Sequence, residues 1–318
     1  MECPLDKGND PESWAKRRER TAMSDMLSRV AGAPITWGAD ASAGWGYLMD
    51  PARVMSEMRE AGLSATELGP DGFLPSDPQE LKDFVAGYDM SMVGGFVPAI
   101  LYRDKDMDAD MQYFERASDQ LAAAGASNVV LGPRSHYDGY DTEIDMDDDQ
   151  WAVFLRNLRR FQDITEERGL QTALHPHWGM AISRQNQVDR LLNSCDVGMC
   201  VDAGHLFLSG VDPLQVVKDA GDRVLHVHIK DLTNEMAEKV RSGEVPFRQA
   251  TIDGMFVPAG SGDVDLAGII RYLEGRGYQG WYVLEQDCSL TEDPAPGTGP
   301  IEDAKASVEF LKKVAATL

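Results

Sequence analysis

Val224-Leu225-His226-Val227-His228-Ile229-Lys230-Asp231 alternates with a period of two, so an extended segment carries His226, His228 and Lys230 on one face and Leu225, Val227 and Ile229 on the other. Such a strand packs against apolar neighbours on one side and faces a polar interior on the other. Three more segments end in similar chemistry: Thr172-Ala173-Leu174-His175-Pro176-His177, Cys200-Val201-Asp202-Ala203-Gly204-His205 and Trp281-Tyr282-Val283-Leu284-Glu285-Gln286-Asp287. They lie roughly 25 to 60 residues apart, the spacing of successive βα units, whose strand ends converge in space.

Outward from these segments the chain alternates apolar runs with stretches of helical period. Strands are predicted at 33–37, 64–68, 91–97, 127–131, 170–175, 197–202, 223–229 and 280–286. Helices are predicted at 51–61, 77–87, 108–124, 147–168, 184–193, 212–220, 265–275 and 302–316. Asp50-Pro51 and Asp212-Pro213 each put a capping acid before a proline, and Gly62, Gly125, Gly169 and Gly277 each follow a helix. The pattern predicts an α/β chain folded as one (β/α)8 TIM barrel over residues 31–318, with an N-terminal extension at 1–30. A long insertion at 233–262 is expected to shape the active site. No Gly-x-Gly-x-x-Gly opens a helix after the first strand, which disfavours a dinucleotide fold.

With 53 acidic against 30 basic residues the net charge is −23, which opposes nucleic acid as a partner. No run reaches the roughly 18 apolar residues of a membrane span, and MECPLDKGNDPESWAKRRER has no apolar core typical of a signal peptide. The four cysteines form no Cys-x-x-Cys pair, and together these features predict a cytoplasmic protein with reduced thiols.

Strand alternation places His175, Asp202, His228 and Glu285 at the last inward positions of the fifth to eighth strands. Two imidazoles and two carboxylates make a mixed nitrogen and oxygen site suited to Mn2+, Co2+ or Fe2+ and tolerable for Zn2+, with positions left for substrate oxygens. His226 falls one layer deeper, and His177 sits over the mouth. Lys230 lies nearer the substrate, as an acid or electrophile beside the cation. Its plain structural reading is an ion pair with Asp231 or Glu285. Glu67, ending the second strand, is a candidate to orient substrate hydroxyls or to act as a base, or else a capping acid. His205 is a candidate proton donor or a residue behind the ligands. Trp37, Trp45, Trp178 and Phe256 are candidate apolar walls, with ordinary core packing as the alternative.

Three segments carry a family resemblance: His175-Pro176-His177-Trp178-Gly179, Val201-Asp202-Ala203-Gly204-His205, and His226 to Asp231 with the downstream Asp253 to Asp265 and Gly280 to Glu285. In order and spacing they resemble the xylose-isomerase-like TIM barrel superfamily of sugar isomerases and epimerases, and within it the inosose dehydratase branch. The wider superfamily usually has a glutamate on the fifth strand, opening Glu-Asn-His, whereas His175 holds that place here, as in the dehydratase branch. The resemblance implies that Asp202, His228 and Glu285 are ligands with His175 as the fourth, and that Lys230 and His205 stand beside the substrate.

It further implies a metal-dependent carbon-oxygen lyase, with Mn2+ or Co2+ favoured over Fe2+, Zn2+ or Mg2+. The expected substrate is a small polyol or keto-sugar, foremost a keto-inositol such as 2-keto-myo-inositol. The expected course is α-proton abstraction, a metal-stabilised enediolate and β-elimination of water, with His177, His205 or Lys230 as the acid. Gly44-Trp45-Gly46-Tyr47 and Pro70-Asp71-Gly72-Phe73 depart from the branch pattern, so the pocket loops are its own. The same core would serve a keto-sugar isomerase or epimerase, or a 3-keto-glycoside lyase. A non-catalytic binding subunit is the reading the intact ligand set opposes. A homo-oligomer is expected by analogy.

Overall fold

The computed structural model describes residues 26–40 and 45–318. Most of the predicted extension, residues 1–25, lies outside the described residues. Met26 is already buried in the core, and the first strand starts at Val30.

The strands are β1 (Val30–Gly32), β2 (Ala65–Glu67), β3 (Ser91–Gly94), β4 (Phe96–Ala99), β5 (Asn128–Pro133), β6 (Gln171–Leu174), β7 (Gly198–Asp202), β8 (Val224–Ile229), β9 (Asp231–Leu232), β10 (Phe256–Val257) and β11 (Trp281–Leu284). Nine form one parallel sheet in the order β3-β2-β1-β11-β8-β7-β6-β5-β4. Its two outer strands are halves of a single segment, 91–99, so the sheet closes on itself through the chain. β2 pairs with the first half and β5 with the second. Eight barrel strands result, one of them broken at Gly95.

That break corrects the single strand predicted at 91–97, and close packing explains it. A Cβ at Gly95 would lie 2.7 Å from Leu68 Cβ, so only glycine lets the second strand come this near. Gly95→Ala is expected to cost about 1–3 kcal/mol through overpacking, read as a lower midpoint in urea unfolding. An unchanged midpoint would show that the contact yields freely.

The strand predicted at 33–37 is displaced. The ladder runs through β1 and ends with Ala33 N donating to Leu284 O at 2.9 Å. Pro34 has no N–H to continue it and instead opens a 3-10 turn, Pro34–Trp37, ended by Gly38 in the left-handed region at φ 76°. Apolar character alone did not distinguish a strand from the turn that follows it.

Around the barrel lie α1 (Pro51–Ala61), α2 (Pro78–Ala86), α3 (Met107–Ala124), α4 (Asp148–Glu167), α5 (Gln185–Ser194), α6 (Ala203–Leu208), α7 (Pro213–Ala220), α8 (Asn234–Arg241), α9 (Phe247–Ile252), α10 (Leu266–Gly275) and α11 (Pro300–Ala315). Asp50 caps α1 by accepting from Ala52 N and Arg53 N, and Asp147 caps α4 in a reciprocal box with Gln150. The buried stripe Trp151, Phe154, Leu158 and Phe161 of α4 repeats at helical spacing.

The 233–262 insertion folds into α8, α9 and β10, which pairs antiparallel with β9. Its far end is fastened by Asp231, whose carboxylate accepts from the backbone N–H groups of Leu232, Gly260, Gly262 and Val264 at 2.8–3.2 Å.

Candidate metal centre and substrate pocket

The C-terminal strand ends bring the predicted residues together in a buried cluster. Asp202 closes β7 and also caps α6, because its Oδ1 accepts from His205 N at 2.7 Å. Its Oδ2 is therefore left over. This oxygen lies 3.3 Å from His228 Nδ1, and that nitrogen lies 2.5 Å from Glu285 Oε2. All three atoms are buried and none is in a hydrogen bond. Buried polar atoms without partners are costly and rare in native proteins, and these converge within one ligand sphere. A divalent cation bound by carboxylate, imidazole and carboxylate would satisfy them together.

His175, just past β6, donates Nδ1–H to Pro176 O at 3.0 Å, which leaves the lone pair on Nε2. That nitrogen lies 3.6 Å from Asp202 Oδ2, in reach of the same centre. Cys200, one layer below Asp202, groups with His175 and His228, but burial pushes its thiol up to about 12 and keeps it neutral.

Lys230 sits deeper than predicted. Its side chain is fully buried, with Nζ 2.9 Å from His205 Nε2, 3.0 Å from Glu285 Oε1 and 2.8 Å from Asp287 Oδ1. Two of these contacts are hydrogen bonds and the Asp287 contact is an ion pair, so the ammonium is held among protein groups. Burial alone would lower its pKa, yet the Asp202, Asp287 and Glu285 charges outweigh burial and raise it. Burial works against the Glu285 charge in turn, but His228 and Lys230 hold that carboxyl down at about 2. The predicted pair of Lys230 with Glu285 is present, whereas Asp231 is turned to the insertion.

Asp287 was not assigned from sequence, although it lies two residues beyond Glu285 and strand alternation puts it on the same face. Burial raises its carboxyl to about 6. Glu67 reaches the cluster from β2 and gives Oε1 to His226 Nε2 at 2.8 Å and His228 Nε2 at 3.2 Å. His226, two residues before His228 on β8, shares this oxygen with it. The rings of His177 and His205 are packed 3.6 Å apart between centroids. Burial lowers the pKa of both, that of His177 to about 3, so both are neutral.

Above the cluster opens a cavity of about 340 Å3. Glu67, His175, His177, Glu285 and Asp287 make its polar side, while Pro34, Trp45, Phe96, Tyr140 and Phe247 supply apolar walls. Trp45 is the predicted wall residue that lines it. Trp37 instead donates to Glu57 in the core, Trp178 lines a neighbouring cavity, and the Phe256 ring lies 4.9 Å from Lys230 Nζ. Tyr140 comes from a loop without a sequence signal, whereas Phe247 belongs to the insertion expected to shape the site, although nothing local singles out that residue. They pack on each other, and Asp141 holds the N–H of Phe247 at 2.8 Å.

Fold and site define a βα-barrel protein with a carboxylate and imidazole cluster, of metal-ligand type, at the C-terminal rim. The chain belongs to the xylose isomerase-like TIM barrel family, whose model matches residues 55–314. It is similar to the rhizopine catabolism protein MocC of Rhizobium meliloti, at 31% identity over 299 residues covering 92% of this chain and 90% of that one. It is also similar to inosose dehydratase of Lacticaseibacillus casei, at 29% over 296 residues covering 90% and 97%. Among solved structures, IOLI protein with a bound zinc atom superposes with a TM-score of 0.64 at 17% identity, covering 91% of this chain and 98% of that one.

Proposed function

We propose that this protein is a metal-dependent carbon-oxygen lyase that removes water from a keto-inositol, 2-keto-myo-inositol being the foremost candidate. The observation that carries the metal reading is the convergence of buried Asp202 Oδ2, His228 Nδ1 and Glu285 Oε2 within one ligand sphere, with His175 beside them. The similarity to inosose dehydratase over nine-tenths of the chain supports the substrate class. When bound, a divalent cation polarises the substrate ketone and stabilises negative charge developing on its oxygen. Mn2+ or Co2+ suits the mixed donor set best.

The cavity is at the small end of the ~300–1,000 Å3 usual for ligand sites, which fits a single ring. Its described lining holds five carboxylates (Asp40, Glu67, Asp71, Glu285 and Asp287) and no lysine or arginine, so an uncharged polyol ketone is favoured over a sugar phosphate. His177 donates Nδ1–H to Trp178 O at 2.7 Å, which leaves Nε2 with its lone pair. We assign that nitrogen to a substrate hydroxyl as a hydrogen-bond acceptor, since burial makes His177 too weak a base to take a proton from carbon. Lys230 and His205 hold the carboxylates behind it in place, and Tyr140 and Phe247 exclude water from the mouth. Cys195, Cys200 and Cys288 are free thiols, which supports the cytoplasm as the compartment. A homo-oligomer remains part of the proposal by analogy with the family.

Incubating metal-loaded protein with 2-keto-myo-inositol in D2O tests the reaction. An enone absorbing in the ultraviolet is the expected product. Deuterium gained by a compound of unchanged formula would instead establish the isomerase or epimerase reading, which the shared barrel and donor set also accommodate.

A further inference from the structure

We propose that Glu67 is a positioning residue that fixes the tautomer and orientation of His228, and thereby decides that Nδ1 of this ring faces the cation site. The inference rests on the metal reading above and assigns the carboxylate a task apart from substrate binding or proton transfer.

Glu67 Oε1 lies 3.2 Å from Nε2 of His228 and 2.8 Å from Nε2 of His226. An ionised carboxylate only accepts, so the hydrogen of each pair is on the imidazole. Against its burial, the surrounding carboxylates favour a charged His228 without a cation, and a cation at the site displaces the proton from the nitrogen facing it, leaving a neutral ring with one N–H. With that hydrogen held on Nε2, Nδ1 of His228 keeps its lone pair, and it is this atom that stands 3.3 Å from Asp202 Oδ2 and 2.5 Å from Glu285 Oε2.

The bond crosses the barrel. β2 and β8 are separated in the sheet by β1 and β11, so Glu67 spans the interior. His226 explains itself in the same terms. It is fully buried below the pocket, and its ring stands nearly perpendicular to that of His228, with centroids 5.4 Å apart. Its bond to the same oxygen pins Glu67 where His228 needs it. Carboxylate partners of metal-bound histidines commonly govern affinity by about 10- to 100-fold.

Metal-free wild type, Glu67→Gln and Glu67→Leu are titrated with Co2+ by calorimetry, and the visible spectrum of the bound Co2+ is recorded. Wild type is expected to bind one equivalent. Glu67→Leu is expected to bind about 10- to 100-fold more weakly with an altered spectrum, and Glu67→Gln, whose amide oxygen still accepts, to fall between them. Melting curves check that both variants are folded, and should Glu67→Leu not fold, Glu67→Gln alone decides by the same shift. Binding within twofold of wild type with an unchanged spectrum overturns the inference and leaves the metal site standing. A second equivalent in wild type that is lost with Glu67 also overturns it, because Glu67 would then be a ligand. No binding by wild type overturns the metal reading itself.

Discussion

Asp202→Asn is expected to abolish metal retention and to lower kcat/KM by about 10³-fold or more, since a cation's stabilisation of developing charge is worth several kcal/mol. The substitution separates two tasks of one side chain. Oδ1 caps α6 through His205 N, and asparagine caps helices as well as aspartate does. Oδ2 has no hydrogen bond and faces His228 and Glu285, and in asparagine this position becomes an amide nitrogen that cannot ligate. The helix start is kept and the ligand is lost. The melting temperature of metal-free protein should therefore change by no more than about 3 °C, the equivalent of roughly 1–2 kcal/mol. Metal analysis of purified variant and wild type checks the claim, and full retention by the variant would remove Oδ2 from the ligand set.

Lys230→Met should destabilise the metal-free protein by about 3–5 kcal/mol, because it leaves buried carboxylates without their counter-charge. The ammonium is surrounded by Glu285, Asp287 and Asp202 at 3.0, 2.8 and 3.4 Å, and methionine fills the channel of its stem without replacing the charge. A bound cation would supply positive charge to two of these three carboxylates. The deficit is therefore expected to shrink when Mn2+ is added and to be largest in chelator. Thermal unfolding under both conditions measures this, and an equal loss in both would mean that the lysine and the cation do not share carboxylates. A kinetic role for Lys230 as the acid would need the ammonium to leave its present partners, which its burial opposes.

The long regular elements were legible because local chemistry marks their ends. The helix at 51–61 coincides with its prediction, since Asp50-Pro51 starts it and Gly62, at φ 94°, stops it. β8 was found through its period of two, and β7 as an apolar run ended by Asp202. The first strand was misplaced by three residues because Pro34-Ile35-Thr36-Trp37 is as apolar as a strand and folds as a turn. The strand at 91–99 was read as unbroken because nothing local says that its halves pair with different neighbours.

At the site, His175, Asp202, His228 and Glu285 could be picked out as a set because side-chain direction along a strand is a local property, and barrel strands all point their ends one way. The residue types at those ends, and hence the class of chemistry they could hold, were determined by the sequence alone. Tertiary structure decided the partnerships. It made Lys230 a buried counter-ion of Glu285, Asp287 and Asp202, joined Glu67 to two histidines some 160 residues away, and brought Tyr140 and Phe247 over the pocket. Such contacts depend on which strand ends face one another across the barrel and how far each side chain reaches, and local periodicity carries neither quantity.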